Sequence, residues 1–157
     1  MARLTGADAN IFVDKIREAC KKKGHAFFES GDYNLNIIGI RSASGKADKF
    51  DDNINVLYKV DGQWVVDAYT ATTEPGTSIL QRPIVKKGTA ILIPDQYRGA
   101  YKIDIHGGKR KYKAVCQRNA PVKVWRDDNR DSKPDYKGEE DEGWYGINIH
   151  KHAGSDT

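Results

Sequence analysis

Apolar residues recur at helical spacing over residues 5–24, "TGADANIFVDKIREACKKKG", and at alternate positions over most of the rest of the chain. In the first stretch Ile11, Phe12, Ile16, Ala19 and Cys20 fall on one stripe, with Thr5 or Asp8 placed to cap the start and Gly24 the end. Lys21, Lys22 and Lys23 stand in the last turn, where cations suit the negative end of the helix dipole. The pattern predicts one amphipathic helix.

From Asn34 onward the period changes to two, in short runs of apolar and β-branched residues broken by turn formers. "NLNIIGIRS" reads as a strand. "INVLYKV" and "QWVVDAYTATT" flank Asp61-Gly62, the strongest short hairpin signal in the chain. "TAILIP" is a further strand, "AYKIDIH" and "KYKAVCQ" flank Gly107-Gly108 as a second hairpin, "PVKVWR" follows, and "WYGINIH" comes last. The polar stretch from Asp127 to Gly143 reads as a surface loop. About seven strands after one helix predict a mainly β protein, a β-sandwich or small barrel preceded by an N-terminal amphipathic helix. Residues 1–30 form the helical extension and residues 31–157 the β-rich domain; at 157 residues, two domains are not expected.

Charge narrows the partners only a little. The 26 basic and 22 acidic residues are interspersed, so the net charge of +4 does not concentrate into a nucleic-acid tract. The basic run from Lys109 to Lys113 falls at a hairpin turn and reads as solvated, and nucleic acid is not expected as a partner. An acidic cell-wall polymer would be attracted equally well. The N-terminus has no apolar stretch of signal-peptide length, and no run approaches the ~20 residues of a membrane span. Cys20 and Cys116 make neither a disulfide framework nor a C-x-x-C site, and both are expected as small buried residues. Trp64, Trp125 and Trp144 lie in alternating runs and are expected in the core.

Acid–base or metal chemistry must be built from four histidines, at positions 25, 106, 150 and 152. In the last strand Tyr145, Ile147 and Ile149 alternate with Gly146, Asn148 and His150, which places His150 beside Asn148 on the face opposite the isoleucines. A solvated strand end and a functional imidazole are both compatible with that position. His106 precedes the Gly107-Gly108 turn, where it is either an ordinary turn residue or part of a groove. A zinc reading would draw on His25, Asp32, His150 and His152, with one coordination position open for water. Asp127, Asn129, Asp131 and Asp135 alternate as calcium ligands do, but Ser132 and Gly138 stand where an EF-hand has its glycine and bidentate glutamate. A solvated acidic turn is the expected reading there.

"WYGINIH" resembles the Y-G-I-H-G strand of the L,D-transpeptidase family, β-rich cysteine enzymes that act on peptidoglycan stem peptides. The ordered succession "NLNIIGIRS", "KFDDNINVLYK", "TTEPG", "KGTAILIPDQYRGAYKI", "VKVWRDDNRDS" and "GINIH", over residues 34–150, is similar to a subgroup found in phage-encoded and prophage-associated proteins. The resemblance implies that His150 is the active-site base and that Tyr145, Gly146, Asn148 and His106 line the substrate groove. It implies a peptidoglycan stem peptide as substrate, no cofactor, other virion proteins as further partners, and a place on a phage particle that carries the protein to the wall. In the family a nucleophilic cysteine follows in a Ser-x-Gly-Cys motif; here no such motif occurs, and both cysteines precede the histidine. Acyl transfer requires a thiolate beside the base, so a longer protein is expected, of which these residues are a portion. Two alternatives stand beside the cysteine enzyme: a non-catalytic virion structural or wall-docking module with the same fold, and a zinc peptidoglycan peptidase.

Overall fold

The computed structural model describes residues 1–107 and 111–152. By its internal contacts the chain divides into two compact units, Met1–Glu74 and Pro75–Thr157.

In the first unit, Asp61 and Gly62 both adopt positive φ, at 48° and 73°. That is the backbone of a two-residue type I′ turn, whose twist matches that of the strands it joins. It connects β3 (Asp52–Val60) to β4 (Gln63–Ala71), paired antiparallel from Val60↔Gln63 to Asp52↔Ala71. The Asp32 carboxylate accepts hydrogen bonds from the amides of Asp61 and Gly62, at 2.7 and 3.0 Å, and braces the turn from outside. β2 (Asn36–Ile40) joins β3, and β1 (Ala2–Thr5) joins the far side of β4, giving an antiparallel sheet in the order β1-β4-β3-β2. β1 lies ahead of the helix, where the sequence predicts no strand. The Arg3 guanidinium fixes it by bonding both oxygens of Asp67 on β4.

α1 (Gly6–Lys22) begins at Thr5, which caps it by backbone alone, and ends as the sequence predicts. Gly24 takes φ +70°, its amide bonds the Lys21 carbonyl and the His25 amide the Cys20 carbonyl, the paired bonds of a Schellman ending. The buried stripe is rotated from the predicted one. Ala9 and Val13 are fully buried against Leu57 and Val66, with Phe12 and Ile16 packed alongside, while Ile11 is 56% exposed. Burying each of the larger side chains contributes about 1.5–3 kcal/mol. The helix is thus the second layer of the first unit's core.

The second unit holds α2 (Thr77–Gln81) and two sheets. In one, β5 (Thr89–Leu92), β8 (Val122–Asp127) and β9 (Glu140–Gly143) pair in the order β5-β8-β9. In the other, β6 (Tyr101–His106) and β7 (Tyr112–Gln117) form the predicted second hairpin, from Tyr101↔Gln117 to His106↔Tyr112. Gly107 takes φ +100°; Gly108, and Lys109 and Arg110 of the basic run, lie outside the described residues. Ala100, Val122 and Val124 form this unit's core, with Tyr145 and Ile147 against it.

The protein is therefore mainly β with an N-terminal amphipathic helix, as the pattern predicts. Among the described residues it has nine strands in three sheets, none closed into a barrel. Two departures concern the site. β9 forms inside the stretch read as loop. "WYGINIH" makes no continuous strand, and its only ladder contact is a bridge in which Ile149 and Val115 exchange backbone bonds of 2.8 and 3.1 Å.

Candidate functional site

A buried side chain, rather than a ladder, holds the last segment. Gln117 ends β7 and is 2% exposed. Its Oε1 accepts from the amides of Tyr145 and Gly146, both at 3.1 Å, and its Nε2 donates to the carbonyls of Gly143 and Ala120. Its own backbone amide donates to Asn148 Oδ1 at 2.9 Å. Gln117 therefore anchors residues 143–148 to the end of β7. Gly146 bends the segment at φ +65°, a conformation costly for any residue with a Cβ.

The bend delivers Asn148 and His150 to His106 and Tyr112, the pair at the tip of the β6–β7 hairpin. The imidazoles of His106 and His150 stack with centroids 4.1 Å apart and planes 20° from parallel. The Tyr112 ring meets His106 edge-on at 5.4 Å, and its hydroxyl lies 3.1 Å from His150 Nδ1. The Lys151 ammonium sits over the Tyr112 ring at 5.3 Å.

Hydrogen bonding sets the imidazole tautomers. Asn148 uses Oδ1 on the Gln117 amide, so its Nδ2 donates to His106 Nδ1 at 2.9 Å, and His106 carries its proton on Nε2. His150 Nδ1 stands 2.8 Å from the Lys151 carbonyl, an acceptor only, so this nitrogen holds the proton and Nε2 keeps the lone pair. An exposed imidazole oriented through Nδ1 with Nε2 unprotonated is the arrangement of a general base. His106 is held below the ordinary imidazole value by burial first, then by His150 and Arg118.

The structure thus brings together His106, Asn148 and His150 of the predicted set. Tyr145 and Gly146 position that set: Tyr145 packs in the core of the second unit with the Arg126 guanidinium 4.7 Å above its ring, and Gly146 makes the bend. Gln117, Tyr112 and Lys151 were not predicted. A glutamine at the inward end of an apolar strand is the one sequence signal for the first.

Neither cysteine is hydrogen-bonded to His150 among the described residues. Cys116 is fully buried on β7, next to the Val115–Ile149 bridge. Its thiol points to the Asp104 carbonyl at 3.7 Å. Cys20 lies on α1 in the first unit, and burial pushes its thiol up. The zinc alternative draws no support: among the described residues no group of three or more His, Cys, Asp or Glu side chains is arranged to hold a metal. Asp32, one of its expected ligands, is engaged with the β3–β4 turn. Trp144 is 59% exposed rather than in the core, because its segment is not a strand. Among the described residues no helix is long and apolar enough to cross a membrane.

No family model matches the chain, and no curated protein and no solved structure matches it.

Proposed function

We propose that the protein is a phage-associated, peptidoglycan-directed protein of the L,D-transpeptidase type, in which the His106, Asn148 and His150 cluster receives the stem peptide. The observation that carries this reading is His150, exposed, fixed through Nδ1 by the Lys151 carbonyl and stacked on His106. It stands in the "GINIH" context of the family resemblance. In the catalytic form a cysteine thiolate attacks the amide carbonyl, His150 Nε2 having taken the thiol proton, and the imidazolium returns a proton to the leaving amine. Hydrolysis or exchange follows as water or an acceptor amine attacks the acyl-enzyme. Cys116 is fully buried with its thiol toward the Asp104 carbonyl, and this supports a second reading, a wall-docking module that keeps the groove without the chemistry.

The test mixes the protein, expressed from its gene as it occurs in the source, with purified peptidoglycan sacculi and follows both sedimentation and released fragments. Co-sedimentation that His150→Ala weakens supports the shared reading. Release of cleaved stem peptides, abolished by His150→Gln and by thiol alkylation, establishes the cysteine enzyme, and binding without release establishes the docking module. Cleavage that survives alkylation and stops with a chelator would restore the zinc peptidase. Protein that stays in the supernatant and releases nothing overturns the proposal.

A further inference from the structure

The hydrogen bonds of β7 fix which way the backbone of β6 faces. Val115, opposite Ile103, gives both its N–H and its C=O to Ile149 on the far side of β7. In an antiparallel pair Ile103 therefore turns its own N–H and C=O away from β7, and Tyr101 and Ile105 turn with it. The amide of Gln117, opposite Tyr101, agrees by bonding Asn148. On that outer side Ile105 is engaged by side chains, its amide by the Asp104 carboxylate at 2.8 Å and its carbonyl by Arg118 at 3.4 Å. The main-chain groups of Ile103 meet no partner among the described residues.

The side chains of this edge are as open as its backbone. Ile103 is 74% exposed and Ile105 48%, on the face they share with Tyr101. Lys102 and Asp104 lie on the opposite face, Lys102 exposed and Asp104 half-buried, 3.2 Å from Arg118. An apolar edge strand with unpaired backbone is a template for another strand.

We infer that a second copy of this chain supplies that strand, β6 pairing antiparallel with β6 of the other copy about a two-fold axis through Ile103. Residues 101–105, "YKIDI", are complementary to themselves in this register. Ile103 exchanges both main-chain bonds with its counterpart, Ile105 pairs with Tyr101 of the second copy, and Lys102 faces Asp104 of the second copy. Those two charges stand at a non-hydrogen-bonded pair, where facing side chains approach most closely. Moving the axis by one residue sets Lys102 against Lys102 or Asp104 against Asp104, like charges directly opposite. The Ile105 amide exchanges the Asp104 carboxylate for the Tyr101 carbonyl of the second copy, which frees that carboxylate for Lys102. The contact is isologous and closed, and so short an edge makes a weak, reversible dimer. It stops before His106, so the inference is independent of the wall reading.

Sedimentation velocity of the full chain from about 10 µM to about 1 mM tests the pairing, with hydrogen exchange of the Ile103 amide followed at both concentrations. The expected result is a monomer–dimer equilibrium and an Ile103 amide that exchanges more slowly as concentration rises. Ile103→Pro loses an N–H that faces outward, so the β6–β7 ladder stays whole, the monomer stays folded and association is abolished. Lys102→Asp alone and Asp104→Lys alone each weaken association by about tenfold or more, because like charges then face each other. Mixed in equal amounts, those two variants regain the dimer, since each meets its opposite. If Asp104→Lys does not fold, Ile103→Pro and Lys102→Asp decide the matter. A chain that stays monomeric at about 1 mM overturns the proposal. So does a dimer indifferent to Ile103→Pro and to charge reversal, or a mixture of the two folded charge variants that remains monomeric.

Discussion

Gln117 shows how one side chain substitutes for a strand. Its amide bonds four backbone groups of residues 120–146 while its main-chain N–H holds Asn148, so removing the side chain leaves buried donors and acceptors unpaired. Gln117→Leu is expected to destabilise the second unit by about 2–3 kcal/mol, read as a lowered midpoint in urea unfolding. The histidine pair makes a different prediction at the same scale. With its value depressed, His106 binds a proton less readily folded than unfolded, so its contribution to stability is complete above about pH 6.5 and is lost as pH falls toward the folded value. His150→Ala removes the stacked neighbour, and an NMR titration of the imidazole should then show His106 moving back up toward the ordinary value. An unchanged titration would mean that the stack exerts no electrostatic effect.

Elements differ in how openly the chain announces them. Both hairpins were legible because turn chemistry and period two agree, as at Asp61-Gly62. The end of α1 was legible in Gly24, but its buried stripe was not. Counting from Ile11 misplaces the face, since only the sheet decides whether Val13 or Ile11 points inward. β9 was hidden because Glu140, Asp141, Glu142 and Gly143 are all poor strand formers; pairing with β8 and the Arg126–Asp141 bond override propensity. "WYGINIH" erred in the opposite sense. Its alternation satisfies a strand template, yet Gly146 breaks the extended backbone, and half the segment hangs on Gln117. His150 and Asn148 could be named from the sequence, but their meeting with His106 depends on that bend. Gly146→Ala meets open space and therefore tests backbone alone. The expected cost is about 1–2 kcal/mol, with fewer short contacts between His106 and His150 in NOE spectra.

At the scale of the molecule, each of the two units has its own core, and in the first the carboxylates set the response to acid. Asp67 is held below the usual carboxylate range by the Arg3 guanidinium and the Tyr58 hydroxyl. Asp52 is held below it, against the upward push of burial, by bonds from Ser42 and Thr73. Depressed carboxyls bind protons more readily unfolded, so their stabilisation is present above about pH 4 and is lost as pH falls through the folded values. Asp67→Asn should flatten the acid side of the stability curve measured by denaturant unfolding between about pH 2 and pH 6. The functional account rests on the second unit. The measurement that tests it most directly is an NMR titration of the four imidazoles with a soluble disaccharide stem-peptide fragment. Saturable shifts of His106 and His150, with His25 in the first unit unmoved, are the predicted result. If no imidazole signal responds at millimolar fragment, or if all four respond alike, the cluster is not the groove that receives the wall peptide.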